Sequence, residues 1–574
     1  MSPAMRTRDL LVFDQRGTGS SDPLSCPALE RLTGSSVSNL LAACAEQIGP
    51  SRGAFTTQES VRDLEALRQA TGYEKLVLYG TSYGTKVALE YAERYPQHVE
   101  AMVLDSVVPT TGPEPFFIPS FESVTPVIKG LCPGQLCAGI TREPLADLAD
   151  LIARLRRHPL RGSVYDGDGR RHSATIDERG LFGVLEAGDL NPALRALLPA
   201  AISSSLHGYP DPLLRLEALA EGLVPSLGTH EGSGEEETDE ALFVTTTCEE
   251  APFPWQRSAP PATRLAEALA YLHAQPNSAF APFDAQTSLQ SSLVEACDAW
   301  PYASSPPPAA SPLPDVPTLI LSGAEDMRTP TANARLVAAR IPDAQVEVVP
   351  FTGHSVIGSD LTGCAATALS AFFSNQPVAP CSGARDVLAP TPVTPRSLSA
   401  IHPPARLGGL PGRTLVAALD TLKDFERQVI AATLQADARL PSGASFGGLH
   451  GGFARLTSSS ATLRDLSFVP GVTLSGTFPL HDGRLLTSTL RIAGSTAAAG
   501  EIRIGSASKR VTGTLGERSF DLSLASVTAR LARSEGGDAA GGAEWPAAIS
   551  LLTRLGRERL PRETARAGLP SQLP

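Results

Sequence analysis

The chain of 574 residues lacks a long hydrophobic run, a segment rich in lysine and arginine, and any Cys-x-x-Cys pair. Without a run of about 20 apolar residues, no membrane-spanning helix is expected. The net charge of -12 provides no basic face for phosphate groups, which argues against a nucleic-acid partner. No histidine lies at zinc spacing from a cysteine, so the cysteines do not indicate a metal site.

The eight cysteines instead fall into local pairs that predict a disulfide framework, and eight free buried thiols are the alternative. The predicted pairs are Cys26 with Cys44, Cys132 with Cys137, Cys248 with Cys297, and Cys364 with Cys381. Disulfides predict an extracytoplasmic location, either secreted or periplasmic. The opening "MSPAMRTRDLLVF", however, has no apolar core followed by a cleavage site, so the expected export signal is missing.

Strands and amphipathic helices alternate from Asp9 to Val108, with buried strands predicted at "LLVF" (Leu10 to Phe13), "KLVLYG" and "VEAMVLDSVV". The alternation stops in a mostly helical segment and resumes at "VPTLILSGAED" and "AQVEVVPFTGH". This pattern predicts a parallel α/β core in two parts, residues 1–110 and 309–381. Residues 111–308 are predicted to form a helical cap inserted between them.

The character of the chain changes beyond the second core part. Residues 382–445 are predicted to be a Pro-rich linker and a helix, and residues 446–533 a separate β-rich accessory domain without catalytic residues. A hairpin with an Asp482-Gly483 turn is expected in this domain. Residues 534–574 are predicted to be a Gly-rich linker and a terminal helix. The sequence does not indicate a partner for the accessory domain.

The strongest functional signal is "YGTSYGTKVALEYA", in which a strand, a Gly-x-Ser-x-Gly turn at residues 80–84 and a helix follow one another. Such a strained turn exposes its serine at the carboxyl end of a sheet, which makes Ser82 a candidate nucleophile. The amide of Tyr83 opens the helix and is the candidate donor to an oxyanion. An ordinary surface turn is the alternative reading of the motif.

A serine nucleophile needs a base and an acid, in the order Ser, Asp, His along the chain. Asp326 in "LILSGAEDMRTP" and His354 in "VEVVPFTGHSVIG" each follow a predicted strand, at the sheet edge where Ser82 is expected. Glu325 is the alternative acid. His98, between a helix and a strand, is the alternative histidine.

Together, "DQRGTGSS", "YGTSYGTKVALEYAERYP", "LSGAEDMRTP" and "FTGHS" resemble the secreted tripeptidyl aminopeptidase and proline iminopeptidase group of α/β-hydrolases, which carries a TAP-like C-terminal segment. The similarity covers about Arg8 to Cys381. It implies an α/β-hydrolase fold and a serine exopeptidase that cleaves peptides from a free N-terminus through an acyl-enzyme, with no metal or cofactor. Ser82, Asp326 and His354 match the nucleophile, acid and base of the group.

An aminopeptidase must also hold a free α-ammonium, which needs a carboxylate at a fixed distance from the nucleophile. "VTTTCEEAPFPW" in the cap offers Glu249 and Glu250. The family pattern has one residue between the cysteine and the acid, which favours Glu250. A solvated surface pair is the alternative for these adjacent glutamates.

In this group the "DQRGTG" strand follows earlier strands and a His-Gly-Gly-Pro-Gly type loop that donates the second oxyanion amide. No such loop precedes Arg8, and "GGLHGG" at residues 447–452 falls in the accessory domain. One oxyanion donor is worth about a hundred- to a thousand-fold in turnover. We therefore expect the chain to be N-terminally truncated, lacking the export signal and the loop, and to be poorly soluble or nearly inactive.

Two other functions stay open at this point. An esterase would use the same three residues without a carboxylate for the ammonium group. A catalytically impaired binding or envelope protein would keep the hydrolase core but have an incomplete site.

Overall fold

The computed structural model describes residue 4 and residues 8–26, 37–222, 240–435, 443–481, 484–505 and 509–527. The terminal helix expected within residues 534–574 and the Asp482-Gly483 turn lie outside these ranges. Strands β10 and β11, defined below, do pair on either side of that turn, as a hairpin requires.

The strands of the described residues form three sheets. In chain order they are β1 (Leu76–Thr81), β2 (Val99–Asp105), β3 (Leu160–Tyr165), β4 (Arg171–Ile176), β5 (Thr318–Gly323), β6 (Ala344–Val349), β7 (Ser445–Gly447), β8 (Phe453–Leu456), β9 (Ser460–Leu466), β10 (Thr473–His481), β11 (Arg484–Leu485), β12 (Ser488–Ala493), β13 (Gly500–Gly505), β14 (Arg510–Leu515) and β15 (Arg518–Ser523). Strands β1, β2, β5 and β6 form a parallel sheet in that order, and β3 pairs with β4. The antiparallel third sheet has the order β15-β14-β13-β12-β10-β9-β8-β7, with β11 added to β10.

Most of the helices lie between β2 and β5, as predicted for a helical cap. In chain order the helices are α1 (Val37–Ile48), α2 (Thr57–Thr71), α3 (Tyr83–Arg94), α4 (Ile118–Gly130), α5 (Pro144–Arg157), α6 (Glu178–Leu190), α7 (Pro192–Arg195), α8 (Leu198–Leu206), α9 (Asp211–Ala220), α10 (Glu240–Glu250), α11 (Pro261–His273), α12 (Ala285–Ser291), α13 (Val294–Cys297), α14 (Thr331–Ala338), α15 (Val356–Ser359), α16 (Cys364–Phe373) and α17 (Gly409–Gln435). Within the described ranges, none of these helices has the length and apolar character needed to cross a membrane.

The two central strands of the parallel sheet, β2 and β5, are almost entirely buried, which explains their nearly continuous apolar runs. Along β2, Met102 and Leu104 belong to the apolar cluster formed with α2, α3 and α14. The alternate residues Ala101 and Val103 belong to the cluster formed with α15 and α16. Because all four strands are parallel, the segments after β1, β5 and β6 leave the sheet at the same edge.

The buried strand predicted over Leu10 to Phe13 is wrong. These residues have no strand assignment, and the side chains of Leu10, Val12 and Phe13 are 53%, 77% and 42% exposed. An apolar run becomes a strand only where another strand completes its hydrogen-bond ladder. In the part of the chain that the structure describes, β1 is the edge strand and has a single partner, β2.

Helix α2 brings a polar side chain, Thr57, next to Tyr83 of α3, with their hydroxyl oxygens 2.9 Å apart. Its first turn is capped by Thr56, whose hydroxyl accepts the Glu59 N–H, and it ends at Gly72 in the left-handed conformation. This start point places Thr57 at the first helical position, where its main-chain N–H has no acceptor within the helix. The N–H and the hydroxyl of Thr57 are thus available to a carboxylate from the cap.

The cap contains the β3-β4 hairpin as well as helices, which the helical prediction did not include. Aromatic rings fill the centre of the cap. The rings of Phe121 and Phe182 stack with centroids 4.1 Å apart, and Phe283 meets Phe182 edge-on at 5.4 Å. These large side chains fix α4 and α6 against each other, and α6 carries a residue of the site at its C-terminal end.

The C-terminal sheet is separate from the parallel sheet, but its apolar core is continuous with that of the cap. Helix α17, expected beside a linker, contributes its residues Leu422 and Phe425 to this shared core. A buried ion pair joins Arg215 of α9 to Asp424 of α17, with Nη1 and Oδ2 2.7 Å apart. Ala431 accepts a hydrogen bond from the side-chain amide of Asn191 in the cap at 2.9 Å.

The disulfide prediction is confirmed for all eight cysteines, and the alternative of free thiols is wrong. The Cα–Cα distances of the four bridges, in chain order, are 5.6, 5.2, 5.1 and 5.8 Å. Two bridges hold cap segments, and the bridge from Cys364 to Cys381 fastens the segment after α16 to that helix. Beside this bridge, the Cys381 N–H donates to Glu347 of β6 at 2.7 Å.

Replacing Cys364 and Cys381 together by serine is expected to lower the free energy of unfolding by about 3 kcal/mol, because the bridge closes a loop with a sequence separation of 17. The matched control is the Cys132 and Cys137 pair, whose sequence separation is 5. On the same entropy scale that pair contributes about 2 kcal/mol. Urea unfolding of both double variants under non-reducing conditions measures the two losses, and equal stability of the Cys364/Cys381 variant and the native chain would contradict the prediction.

Candidate active site

The turn between β1 and α3 has the backbone conformation of a nucleophile elbow. Ser82 has φ 55° and ψ -123°, a region that non-glycine residues seldom occupy, and its side chain is half-buried. A Cβ at Gly80 would overlap the main chain of Gly84, so the first glycine of the motif is required by close packing. The Ser82 N–H donates to the carbonyl of Asp105 on β2 at 2.9 Å.

The residues after Ser82 hold the elbow in place. The Thr85 hydroxyl donates to the Ser82 carbonyl at 2.6 Å and accepts the Val108 N–H at 2.8 Å. Tyr83 is the first residue of α3, and an N–H at that position has no acceptor within its own helix. This is the geometry expected of an oxyanion donor, and the role of Tyr83 stays a prediction.

The structure brings the predicted acid and base together. His354 Nδ1 lies 3.1 Å from Asp326 Oδ2 and 3.3 Å from Oδ1. Thr329 orients the carboxylate, since its N–H donates to Asp326 Oδ1 at 2.8 Å and its hydroxyl donates to Oδ2 at 2.6 Å. Both Asp326 and His354 are buried and follow neighbouring strands, β5 and β6.

The electrostatics of this pair favour a charged imidazole. Burial acts to lower the pKa of His354, but the hydrogen bond and charge of Asp326 and the charge of Asp189 outweigh it and raise the pKa above its ordinary value of 6.5. Burial acts to raise the pKa of Asp326. The bonds from His354 and Thr329 are stronger in sum and hold that pKa below its ordinary value.

Asp105, which the sequence analysis missed, links the segment of Ser82 to the segment that follows His354. Its main-chain oxygen receives the Ser82 N–H, and its carboxylate accepts the Val356 N–H at 2.8 Å and the Ile357 N–H at 2.9 Å. Val356 and Ile357 open α15, directly after the loop of His354. Burial raises the pKa of Asp105 to about 6, against the lowering effect of these hydrogen bonds. A polar residue ending the buried run "VEAMVLD" was the available signal.

A second residue that the sequence analysis missed comes from the cap. Asp189, near the end of α6, is buried and accepts the main-chain N–H of His354 through Oδ1 at 2.9 Å. It lies 165 positions before His354, in a segment without a motif. No signal in the sequence indicated this contact.

The alternative acid and the alternative histidine both have other partners. The carboxylate of Glu325 is paired with Arg195, with Oε2 and Nε 2.6 Å apart, so Asp326 alone of the two acids contacts the imidazole. His98 lies in the short turn after α3, where its Nδ1 is 3.3 Å from Glu65 Oε2. The described contacts of Glu325 and His98 are thus with residues other than His354 and Ser82.

Glu250 lies in an ion-pair cluster next to the nucleophile helix. Its carboxylate accepts the Thr57 N–H, the Thr57 hydroxyl at 2.6 Å and the Lys86 ammonium at 2.9 Å. The ammonium is also bound to Glu90 at 2.6 Å, and the Thr57 hydroxyl lies 2.9 Å from the Tyr83 hydroxyl. Glu250 is therefore connected to the residue after Ser82, with 8% of its side chain exposed.

Glu249 points the other way and is fully buried. Its carboxylate accepts hydrogen bonds from a cap loop and a tryptophan, and two arginines lie beside it. The donors are Trp300 Nε1 at 3.0 Å, Ala303 N–H at 3.1 Å, and the Ser304 N–H and hydroxyl at 2.9 and 2.8 Å, and the arginines are Arg52 and Arg257. All of these contacts are internal, so the geometry of Glu249 is that of a residue holding the loop around Tyr302.

A cavity of about 360 Å³ opens between α3 and the cap loops that follow Glu250. Its lining combines acidic side chains with aromatic rings and prolines. The lining includes Lys86, Glu90, Glu250, Trp255, Arg257 and Tyr302. Its mixture of carboxylates and apolar rings fits a ligand with a cationic end and an apolar body.

Among the residues that the structure describes, two groups bring three potential metal ligands each within 4.8 Å of one another. The first is Asp189, Asp326 and His354, whose carboxylates already accept hydrogen bonds from protein donors. The second contains Cys364 and Cys381, which are joined to each other. In both groups the potential ligand atoms are therefore engaged in hydrogen bonds or a disulfide within the chain.

Comparisons with known proteins agree with this geometry. The family model of the α/β hydrolase fold matches residues 2–125, and the model of the TAP-like protein family matches residues 281–381. The fold and family predictions are confirmed: the chain contains an α/β-hydrolase domain with a TAP-like segment, and a separate antiparallel sheet follows.

Several curated relatives carry peptidase names. The chain is 35% identical over 118 residues to "Tripeptidyl aminopeptidase" of Streptomyces lividans, covering 17% of this chain and 22% of the relative. It is 33% identical over 120 residues to "Serine protease Hip1" of Mycobacterium tuberculosis, covering 17% and 23%. It is 30% identical over 98 residues to "Proline iminopeptidase" of Neisseria gonorrhoeae, covering 17% of this chain and 24% of the relative. The chain thus spans less than a quarter of the length of these relatives.

The rate at which Ser82 reacts with a fluorophosphonate probe is expected to rise with pH, with its half-maximal value above pH 6.5, since only the neutral imidazole of His354 can accept the proton. Probe incorporation is measured by intact-protein mass spectrometry across about pH 5 to 9. Asp326→Asn serves as the comparison, because losing the negative charge should move the half-maximal pH downward. A pH-independent rate in the native chain would contradict the prediction.

Proposed function

We propose that this chain is a serine exopeptidase that cleaves peptides from a free N-terminus through an acyl-enzyme on Ser82. The observation that carries the proposal is the strained elbow of Ser82 at the same sheet edge as the His354–Asp326 pair, with Asp105 bonded to both segments. The names of the relatives support a peptidase. The cavity beside α3 supports a substrate with a cationic end.

In the proposed reaction, His354 removes the proton from the Ser82 hydroxyl as its oxygen attacks the substrate carbonyl carbon. Asp326 orients the imidazole and stabilises its cation, and the Tyr83 amide donates to the oxyanion. The C–N bond then breaks, and the leaving amine takes the proton from His354. Water, deprotonated by the same imidazole, releases the acyl group and restores the Ser82 hydroxyl.

Glu250 is the proposed site for the substrate ammonium, in preference to Glu249. In the structure, the Lys86 ammonium is held by Glu250, Glu90 and Thr57, so the acceptors there suit a primary ammonium group. A substrate ammonium entering the cavity would share these carboxylates with Lys86. Glu249 acts indirectly, by holding the loop that forms the aromatic wall.

An esterase is the second candidate, and one observation favours it. The charge of Glu250 is already balanced by Lys86, and little of its side chain reaches the cavity. A neutral ester would not need to compete for that carboxylate. The third possibility, a binding or envelope protein with an impaired site, predicts that Ser82 is unreactive.

We also propose that the protein works outside the cytoplasm. Four disulfides are rare in proteins held in a reducing compartment, and they are common in secreted and periplasmic ones. Fractionation of cells that express the native gene, followed by detection of the protein, tests this location.

A fluorophosphonate probe is expected to label the native chain at the peptide containing residues 80–84, and Ser82→Ala is expected to abolish the labelling. The exposed Ser51 provides a matched control, since Ser51→Ala should label at the native rate. Tandem mass spectrometry locates the adduct. An unlabelled native chain would instead favour the impaired binding protein.

Glu250→Gln is expected to lower kcat/KM for a free-amine tripeptide amide by about 10- to 100-fold, since a desolvated charged hydrogen bond is worth roughly 1.5 to 3 kcal/mol. Hydrolysis of a small acetate ester should change by less than about threefold, because that substrate has no ammonium group. Glu90→Gln is the matched variant, since it removes the other carboxylate that binds the Lys86 ammonium. Equal losses of Glu250→Gln on both substrates would count against the ammonium role and leave the esterase.

A further inference from the structure

The cap reaches the base of the site through one buried residue, Asp189. It lies at the second-last position of α6, with 1% of its surface exposed. Its Oδ1 accepts the main-chain N–H of His354 at 2.9 Å, and its main-chain oxygen accepts the same N–H at 3.1 Å. Two oxygens of a single cap residue therefore fix the backbone that carries the imidazole.

The same side chain also contacts the loop of the acid. Asp189 Oδ2 accepts the Arg328 N–H at 3.2 Å, and Arg328 Nε lies 3.6 Å away. Arg328 follows Asp326 by two residues, so the carboxylate bridges the loops of the acid and the base. The approach is close, because a Cβ on Gly353 would overlap the main-chain oxygen of Asp189.

Charge gives this contact a second effect. One oxygen or nitrogen each of Asp189, Asp326 and His354 lies within 4.8 Å of the other two, so two carboxylates act on one imidazole. Burial and the charge of Asp326 raise the pKa of Asp189 to about 7, and the Asp189 charge in turn helps to raise the pKa of His354. Three other charged groups lie around the cluster. The charge of Asp105 acts on His354, and the charge of Arg328 acts on both His354 and Asp189. Glu186 in turn interacts with Arg328.

We propose that Asp189 is a positioning residue that holds the His354 main chain from the cap and supplies a second negative charge beside its imidazole. This inference rests on the proposed function, since it assigns His354 the role of base. It makes the basicity of the site depend on the cap, because α6 must be docked for the carboxylate to reach His354. The two effects of Asp189, position and charge, can be separated by an isosteric amide, which keeps an oxygen acceptor and loses the charge.

The test is the pH profile of fluorophosphonate labelling in Asp189→Asn and in the native chain. The half-maximal pH of the variant is expected to be lower by up to about one unit, because Asp189, with its pKa raised to about 7, is at least partly ionised where His354 titrates, and the amide removes that charge. The maximal rate is expected to fall about tenfold, because the loop of the base is held less well. Arg179→Gln is the control on the same helix, because this exposed side chain lies at the opposite end of α6 from Asp189, and its profile should equal the native one.

A drop in the maximal rate without a shift of the half-maximal pH would overturn the proposal, because an anchor that acts only through packing predicts that result. A profile of Asp189→Asn equal to the native one would overturn it as well. A native chain that never labels would remove the proposed function and this inference together, whereas a labelled native chain with an unshifted variant removes only the inference.

A measurement on the native chain needs no variant to fold. Amide hydrogen exchange resolved to single residues is expected to find the His354 N–H strongly protected, because two Asp189 oxygens accept it. The Ser20 N–H, which is bonded to an exposed carboxylate, gives the rate of a surface loop in the same sample. Exchange of the His354 N–H at that surface rate would overturn the positioning role.

Discussion

The arrangement of the site depends on the buried end of β2. Asp105 accepts the N–H of Ser82 through its main-chain oxygen, and its carboxylate accepts two N–H groups from the start of α15. Strand β2, between β1 and β5, thus sets the distance between the Ser82 elbow and the loop of His354. A buried carboxylate is costly unless it is fully hydrogen-bonded, and here the backbone of α15 supplies the donors. The hydrogen-bond ladder of the parallel sheet fixes the strands, and the bonds of Asp105 fix the segments that follow β1 and β6 relative to β2.

Local signals in the sequence were sufficient for the parts of the site that lie on the sheet. The elbow at Ser82 follows from a motif whose first glycine the packing requires. Asp326 follows the continuous apolar run of β5, and His354 follows β6, where apolar residues alternate with Gln345 and Glu347. The contact of Asp189 with His354 joins positions far apart in the chain, and no periodicity or motif encodes it. The prediction of a strand at Leu10 was wrong for a related reason. A strand needs a pairing partner, and the apolar run indicates only one of the two segments.

Two adjacent glutamates, Glu249 and Glu250, have different partners in the fold. Glu249 is surrounded by N–H donors and arginines of the cap, whereas Glu250 faces α2, α3 and the cavity. A helix places neighbouring side chains about 100° apart, so a pair at the end of α10 must serve two different surroundings. The sequence could indicate that an acid was needed there. Only the packing of α10 against α1 and α13 determines which of the two reaches the cavity.

The shared core of the cap and the C-terminal sheet imposes an order on biosynthesis. The ribosome delivers the cap before α17, yet Leu213 and Leu214 of the cap belong to the same apolar cluster as Leu422 and Phe425. Until α17 emerges, part of the cap's interior faces solvent or a chaperone, as expected for large chains that fold in stages during synthesis. The parallel sheet can be completed earlier, because its last strand and α16 precede α17. The segments that carry Ser82, Asp326 and His354 are therefore synthesised before the core of the cap can be completed.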